Sequence, residues 1–316
     1  VVVVTAFEQG EDMGDAPGEF QAWASEMPQT LPFPLGWRHL RYDPARQTLA
    51  IMTSMGTNRA AISTLALGLD PRFDLSHAYW VVAAIAGVNP NAASLGSAAW
   101  IGDVVDSDFA YVVDPRELPK DWIGIMPWGR KEPYAKPVDA NKSYNLFPLN
   151  RGLRDWAYQR TKDVALPDST KLQKARAAYK NYPKALKPPH VLVGDEVTGQ
   201  GFWHGERMNA HAERWIRYWA GDQARFVMTG MEDTGVINAI QRLQAAGKAD
   251  ASRVLVLRAG SNYSLPPKGQ SPVAAEMSTE FDGAAAAFQA AHLVARPVVD
   301  ELAGHWDRYR DNTPSN

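Results

Sequence analysis

The chain has 316 residues and contains no cysteine. This absence excludes disulfide bonds, thiolate zinc sites and cysteine nucleophiles together. Long apolar runs are also missing: Val1 to Ala6 and Val81 to Val88 are the longest, and both are far shorter than the roughly 20 residues of a membrane-spanning helix. We therefore expect no membrane insertion, and transport through a bilayer is excluded for this chain alone.

An excess of positive charge is absent as well. The 33 basic and 35 acidic residues nearly cancel, for a net charge of -2, so we expect no nucleic-acid partner. The sequence also lacks the HExxH, P-loop and GxSxG motifs and any cluster of histidines at metal-ligand spacing. We predict a small ligand, with no metal and no cofactor.

Short apolar runs alternate with helical patterns along almost the whole chain, which is typical of a layered α/β domain with a central sheet. We interpret residues 1–316 as one domain. The predicted strands are Val1–Ala6, Thr48–Thr53, Tyr79–Ile85, Val191–Val193, Phe226–Met228 and Val254–Leu257. The predicted helices between and after them are Asn58–Leu67, a segment from about Ala210 through Trp219, Glu232–Ala246 and about Gly283–Trp306. Pro297 predicts a kink in the last helix or a second helix that starts there.

A long insertion at about 106–189 is predicted from its different composition, rich in Pro, Trp, Tyr and Lys. Two helices are predicted inside it, near Leu153–Val164 and Ser169–Tyr182. A cationic stripe follows the second helix and the turn after it, and we interpret it as a solvated face. Its members are Lys171, Lys174, Arg176, Lys180, Lys184 and Lys187.

Polar residues follow two of the predicted strands, where open α/β sheets bind their ligands. The first group is MTGMEDTG, Met228 to Gly235; spacing alone favours Glu232 as a capping acid at the start of a helix. The second is RAGSN, Arg258 to Asn262, in which Ser-Asn is also common turn chemistry. A third group of acids follows the first strand, and one of them is a candidate general base at the sheet edge: Glu8, Glu11, Asp12, Asp15 and Glu19.

Five motifs in a fixed order carry a resemblance to a known family over nearly the whole chain. They are SMGTNRAA at Ser54 to Ala61, AAIAGVNPNAASLG at Ala83 to Gly96, FWHG at Phe202 to Gly205, MTGMEDTG, and VLVLRAGSN at Val254 to Asn262. The sequence resembles the nucleoside phosphorylase and nucleosidase superfamily, most closely its purine nucleoside permease branch. The resemblance implies a three-layer α/β/α fold with a central mixed sheet, and a homo-oligomer. It also favours export, to the periplasm or as a secreted protein, as does a chain that begins without methionine.

The resemblance assigns roles residue by residue. Met231 and Glu232 match the pair that packs under the ribose and accepts its hydroxyl groups, which replaces the capping interpretation. Ser261 and Asn262 match the Ser-Asp that contacts the purine, although an amide cannot deliver a proton. Four further substrate-binding residues are implied, the first two of them as candidates for stacking on the purine: Phe202, Trp203, Tyr263 and Gly87.

The water-activating glutamate of the nucleosidases aligns ambiguously with the acidic loop. We favour Glu19, because Glu19-Phe-Gln-Ala-Trp23 resembles the segment after the first strand in the permease branch, while Glu8 and Glu11 stay open.

One departure from the family bears on the choice of nucleophile. The phosphate-binding positions of the phosphorylases correspond to a loop without Arg, and then to Val82 and Ile85. Apolar side chains disfavour a buried dianion, so water is favoured. The leading prediction is a purine nucleosidase acting on inosine, guanosine or adenosine. The alternatives are a phosphorylase that uses Arg59 or a neighbouring subunit's arginine, and a nucleoside-binding protein that assists a separate transporter.

Overall fold

The computed structural model describes residues 1–120, 122–129, 135, 142–276 and 283–315, so part of the predicted insertion lies outside the described residues. All six predicted strands are present within this part of the chain. The strands are β1 Val2–Thr5, β2 Gln29–Leu31, β3 Leu40–Asp43, β4 Thr48–Met52, β5 Trp80–Val88, β6 Ala98–Asp106, β7 Ala110–Val112, β8 Ile125–Pro127, β9 Leu146–Pro148, β10 Val191–Thr198, β11 Phe226–Gly230 and β12 Val254–Tyr263.

The helices include the six predicted ones. They are α1 Gln21–Glu26, α2 Thr57–Gly68, α3 Lys142–Asn145, α4 Arg151–Thr161, α5 Thr170–Ala177, α6 Glu206–Ala220, α7 Asp233–Ala245, α8 Pro272–Glu276, α9 Ala284–Gly304 and α10 Trp306–Tyr309, with short 3-10 turns at Pro115–Glu117 and Ala251–Arg253. Within the part of the chain described, no helix is both long and apolar enough to cross a membrane.

The central sheet is mixed and closes on itself. Its order is β11-β10-β6-β12-β5-β1-β4-β3-β2, and β11 also pairs antiparallel with β5, so β5, β12, β6, β10 and β11 form a ring. In that last pairing Thr229 lies opposite Gly87. The segment that follows β11 is thereby brought beside β5 and β12, where the candidate site lies.

Helices cover both faces of the sheet, because successive side chains of a strand point to opposite faces. On β5, Trp80 and Val82 belong to the apolar cluster under α2 and α7, whereas Val81 and Ala83 belong to the cluster under α4 and α9. A third cluster joins α6 to β10 and β11. The fold class predicted from the sequence, a three-layer α/β/α arrangement with a central mixed sheet, is confirmed.

Helix α9 continues through Pro297, so of the two predicted outcomes, a kink or a second helix, the second helix does not begin there. Another local prediction needs correction. The cationic stripe is not wholly solvated: Arg176 is 5% exposed and its Nη1 lies 2.5 Å from Asp168 Oδ1. The periodicity of α5 explains this difference, since Leu172 and Arg176 are one turn apart and both face the protein.

Candidate functional site

Glu232 directly precedes helix α7, but its side chain makes no hydrogen bond to the amides of that helix. Its Oε1 accepts from the Gly56 amide at 3.1 Å, and its Oε2 accepts from Arg258 Nη2 at 3.0 Å and from the Met231 amide at 3.3 Å. The side chain is only 7% exposed. The capping role favoured by spacing alone is wrong, because the carboxylate turns away from its own helix toward β12.

The turn between β4 and α2 supplies the amide that Glu232 accepts. Ser54 and Gly56 both have positive φ values, of 66° and 96°, a backbone region that costs energy for a residue with a side chain. A Cβ at Gly56 would lie 2.3 Å from Gln200 Nε2. The hydroxyl of Thr57 then donates to the Met231 carbonyl at 3.1 Å. The SMGTNRAA motif therefore lines one side of the candidate site and hydrogen-bonds both Met231 and Glu232.

Arg258, which the sequence analysis did not single out, lies at the centre of this site. It is 1% exposed, and its Nε lies 2.8 Å from Asp233 Oδ2 while its Nη1 donates to the Ile85 carbonyl at 2.8 Å. Burial disfavours the charged guanidinium, but the carboxylates around it outweigh that effect and hold the pKa of Arg258 above its usual value. An arginine inside the apolar run VLVLRAG was the available signal, since such a charge is seldom buried without partners.

Glu19 is also buried, at 3% exposure. Its Oε2 accepts from the amides of Ala6 and Phe7 at 2.6 and 3.1 Å, and its Oε1 accepts from the Ile85 amide at 2.7 Å. Burial raises the pKa of Glu19 to about 7, the amides of Ile85 and Ala6 and the charge of Arg258 oppose that rise, and the charge of Glu232 adds to it. A carboxylate has about four acceptor positions, so three donors leave room for one more.

Ile85 connects the two carboxylates through its backbone. Its N–H donates to Glu19, and its carbonyl accepts from Arg258, which in turn donates to Glu232. The Ile85 side chain is partly exposed, whereas Val82 is 1% exposed in the apolar core. Of the two positions matched to a phosphate site, only Ile85 is therefore near the carboxylates.

The other acids of the first loop are placed differently. Glu8 accepts from the amides of Gly18, Phe20 and Gln21 at 2.6 to 2.8 Å, and thus caps the start of α1. Glu11 is exposed and lines a surface cavity of about 580 Å³ together with Trp37. Of the three acids left open by the sequence, only Glu19 is part of the Arg258 network.

Asn262, which the resemblance matches to the purine contact, lies at the end of β12. It pairs in register with Gly87, and a Cβ at Gly87 would lie 3.4 Å from Asn262 Nδ2 and 2.8 Å from Thr229 Cγ2. Ser261 Oγ lies 2.8 Å from Asn262 Oδ1, to which it donates. A glycine at position 87 therefore keeps the space beside the amide open.

The remaining predicted residues are only partly brought together with this cluster. Phe202 and Trp203 lie on a loop that runs from Gly199, bonded to the Gly230 carbonyl, to Gly205, bonded to the Ser264 carbonyl. This loop crosses the ends of β11 and β12. Phe202 is 47% exposed, while the Trp203 ring lies 6.0 Å from that of Phe226 and packs toward α6.

Tyr263 is not brought to the cluster. Its hydroxyl donates to the Ala185 carbonyl at 2.9 Å, and its ring lies 3.9 Å from that of Tyr179, so it packs on the predicted insertion. Arg59, the suggested phosphate ligand, is exposed in the first turn of α2, where it covers the Trp37 ring at 4.9 Å and donates to Ser54 Oγ.

Solved structures with a similar fold include nucleosidases and a hydrolase. The 5′-methylthioadenosine/S-adenosylhomocysteine nucleosidase of Streptococcus pneumoniae, solved with a transition-state inhibitor, matches with a TM-score of 0.56 and 13% identity, covering 96% of this chain and 97% of that one. The futalosine hydrolase of Helicobacter pylori matches with a TM-score of 0.56 and 13% identity, covering 95% and 97%. At such identities the likeness shows the fold, which is of the nucleoside phosphorylase kind.

Sequence relatives carry another name. A protein of Schizosaccharomyces pombe named probable purine nucleoside permease is 30% identical over 270 residues, which are 83% of this chain and 77% of that protein. The purine nucleoside permease of Candida albicans is 27% identical over 263 residues, 82% of this chain but only 64% of that protein. The family model described as purine nucleoside permease matches residues 1–314. The chain therefore belongs to the purine nucleoside permease family.

Proposed function

We propose that this protein hydrolyses the N-glycosidic bond of purine ribonucleosides to the free base and ribose. The observation that carries the proposal is the pair of buried carboxylates, Glu19 and Glu232, joined through Ile85 and Arg258 beside the Asn262 amide. The name shared by the relatives supports a purine nucleoside as ligand, and the fold shared with nucleosidases supports a glycosidic bond as the target.

Glu232 would hold the ribose. Three donors occupy its carboxylate, one on Oε1 and two on Oε2, which leaves acceptor capacity on Oε1 for a ribose hydroxyl. Hydrogen bonds to a charged acceptor are roughly twice as strong as neutral ones. The Arg258 and Gly56 contacts fix the carboxylate before the substrate arrives, so little ordering is required on binding.

Glu19 would activate water. Its fourth acceptor position is free to take a proton, and burial places the pKa of Glu19 at about 7, near the value that suits a general base at neutral pH. Such a base typically contributes about 10²- to 10⁴-fold in rate. Attack at the anomeric carbon passes through a state with oxocarbenium character, which the anionic Glu232 beside the ribose would stabilise.

Asn262 would stabilise the departing purine. Ser261 donates to its Oδ1, and one Nδ2 proton goes to the Tyr263 carbonyl at 3.3 Å, so the second Nδ2 proton is left to donate to the base. An amide donates a hydrogen bond but releases no proton. Asn262 can therefore pair with the edge of an oxo-purine but cannot protonate adenine, which favours inosine and guanosine over adenosine.

The first test is whether the purified protein releases hypoxanthine from inosine. Wild-type protein and the Glu232→Gln variant are incubated with inosine, and nucleoside and base are separated by chromatography. We expect base release by the wild type and a large loss in the variant. Unchanged inosine in the presence of measurable binding would instead support a nucleoside-binding protein that serves a transporter.

A further inference from the structure

Two more acids lie behind Glu232. Glu196 on β10 and Asp233 at the start of α7 are each 0% exposed. Gly230 leaves the space for them: a Cβ there would lie 2.2 Å from Glu196 Oε1 and 2.9 Å from Arg258 Cζ. A larger residue at position 230 would therefore displace either the acid or the guanidinium.

Three oxygen atoms of this pair lack a hydrogen-bond donor. Both carboxyl oxygens of Glu196 and the Oδ1 of Asp233 are fully buried without one. Arg258 Nε lies 3.6 Å from Glu196 Oε1, which is too far for a hydrogen bond. Unsatisfied buried acceptors are costly, and two adjacent ionised carboxylates repel each other. One proton held between the two acids removes the repulsion and pairs two of the three oxygens, one on each acid.

The surrounding groups decide which acid keeps the proton. Asp233 Oδ2 accepts from Arg258 Nε at 2.8 Å; burial favours the neutral form of Asp233, but Arg258 and a hydrogen bond from Glu196 outweigh it and lower the pKa of Asp233. Burial, followed by the charge of Asp233, raises the pKa of Glu196 well above its usual value. Glu196 is accordingly the neutral acid and Asp233 the anion.

We propose that Glu196 and Asp233 are positioning residues for the ribose-binding carboxylate: Glu196 donates its proton to Asp233 Oδ1, and Asp233 Oδ2 then holds Arg258 in place against Glu232. The two acids do not touch the substrate. Arg258 is shared between Asp233 and Glu232, so that the Glu232 carboxylate is held in position for the ribose hydroxyls. The kinetic consequence rests on the proposed function, whereas the shared proton does not.

Infrared spectroscopy tests the shared proton directly. A protonated carboxylic acid has a C=O stretch distinct from that of a carboxylate, and spectra are recorded at about pH 9, two units above the Glu19 pKa of about 7, where Glu19 is almost fully ionised. We expect an acid band in the wild type and in Glu19→Gln, and its loss in Glu196→Gln. Absence of the band from the wild type, or its persistence in Glu196→Gln, would overturn the proposal even if the protein hydrolyses no nucleoside.

Kinetics test the positioning role. In Glu196→Gln an amide N–H replaces the acid O–H as donor to Asp233, so we expect KM for inosine within about twofold of the wild type. Glu196→Ala leaves Asp233 Oδ1 without a donor, and we expect KM to rise about tenfold, with a smaller change in kcat. Equal KM values for both variants would contradict the positioning role. If Glu196→Ala does not fold, a KM for Glu196→Gln raised about tenfold contradicts it instead.

Discussion

The Arg258 guanidinium donates to the Glu232 carboxylate at 3.0 Å, and the two side chains are 1% and 7% exposed. An ion pair in this setting is costly to break, because removal of one partner leaves the other buried and uncompensated. Arg258 donates to two further groups, the Asp233 carboxylate and the Ile85 carbonyl. One side chain therefore links stability to the geometry of the site.

Arg258→Met is expected to lower the free energy of unfolding by about 3–5 kcal/mol, the usual cost of breaking a buried pair, and to abolish nucleoside hydrolysis. Denaturant unfolding and hypoxanthine release measure the two effects. Arg176→Met is the control, because Arg176 is also buried and in an ion pair, with Asp168 in the predicted insertion. This control should lose stability and keep its activity. Full activity in folded Arg258→Met would refute the central role of this arginine.

Glu232→Gln keeps the shape of the side chain and removes its charge. We expect kcat/KM for inosine to fall about ten- to hundredfold, in line with the loss of a charge-assisted hydrogen bond. The preference for inosine over 2′-deoxyinosine should shrink in the same variant. Glu8→Gln is the control, since Glu8 caps α1 and does not join the Arg258 network. Wild-type kinetics in folded Glu232→Gln would reject the ribose-binding role.

If Glu19 is the general base, the rate of nucleoside hydrolysis depends on pH. A base must be ionised, so kcat should rise as the pH passes about 7, the pKa of Glu19 in the folded protein. Glu19→Gln should lower kcat sharply, leave inosine binding largely intact and lose this rise, the pattern of a group that acts mainly in the transition state. A pH profile unchanged in Glu19→Gln would assign the base to another residue.

The raised pKa of Glu19 also makes the free energy of unfolding depend on pH. Folding raises the pKa of Glu19 from 4.5 to about 7, so the folded state binds this proton more tightly than the unfolded state. The resulting stabilisation is fully present below pH 4.5 and is lost as the pH rises through about 7, a contribution of about 3 kcal/mol. Unfolding free energies of the wild type minus those of Glu19→Gln should show this decline with pH.

Asn262→Asp introduces a group that can protonate a purine, while its carboxyl can still accept from Ser261. We expect the ratio of kcat/KM for adenosine to that for inosine to increase in the variant. The test requires only kcat/KM for adenosine and for inosine, measured at one pH with the wild type and with Asn262→Asp. Equal ratios in the two proteins would show that residue 262 does not select the base.

Much of the fold was predictable because its strands are short, apolar and separated by clear helical patterns. β6, Ala98–Asp106, was missed: it is buried along its whole length and begins with Ala and a Trp rather than β-branched residues. Sequence periodicity cannot identify such a strand by alternation. The closure of the ring, with Thr229 opposite Gly87, depends on tertiary pairing that no local pattern encodes.

The site residues were predictable where a short sequence motif surrounds them. Glu232 and Asn262 stand in motifs, and the resemblance also singled out Glu19, whose burial depends on the amides of Ala6, Phe7 and Ile85. Arg258 was passed over, because its importance arises from partners on other elements. The Glu196 and Asp233 pair is still less visible, since nothing in either segment indicates that the two side chains meet.

The identity of the sugar product tests the proposed hydrolysis most directly. Wild-type protein is incubated with inosine in buffer freed of phosphate, and again with phosphate added, and ribose and ribose 1-phosphate are quantified in both. We predict equal hypoxanthine release in the two buffers and free ribose as the sugar product, because Ile85 offers no cationic group and Glu19 needs a nucleophile with a proton to give up. Strict dependence on phosphate, with ribose 1-phosphate as product, would contradict the account and identify a phosphorylase.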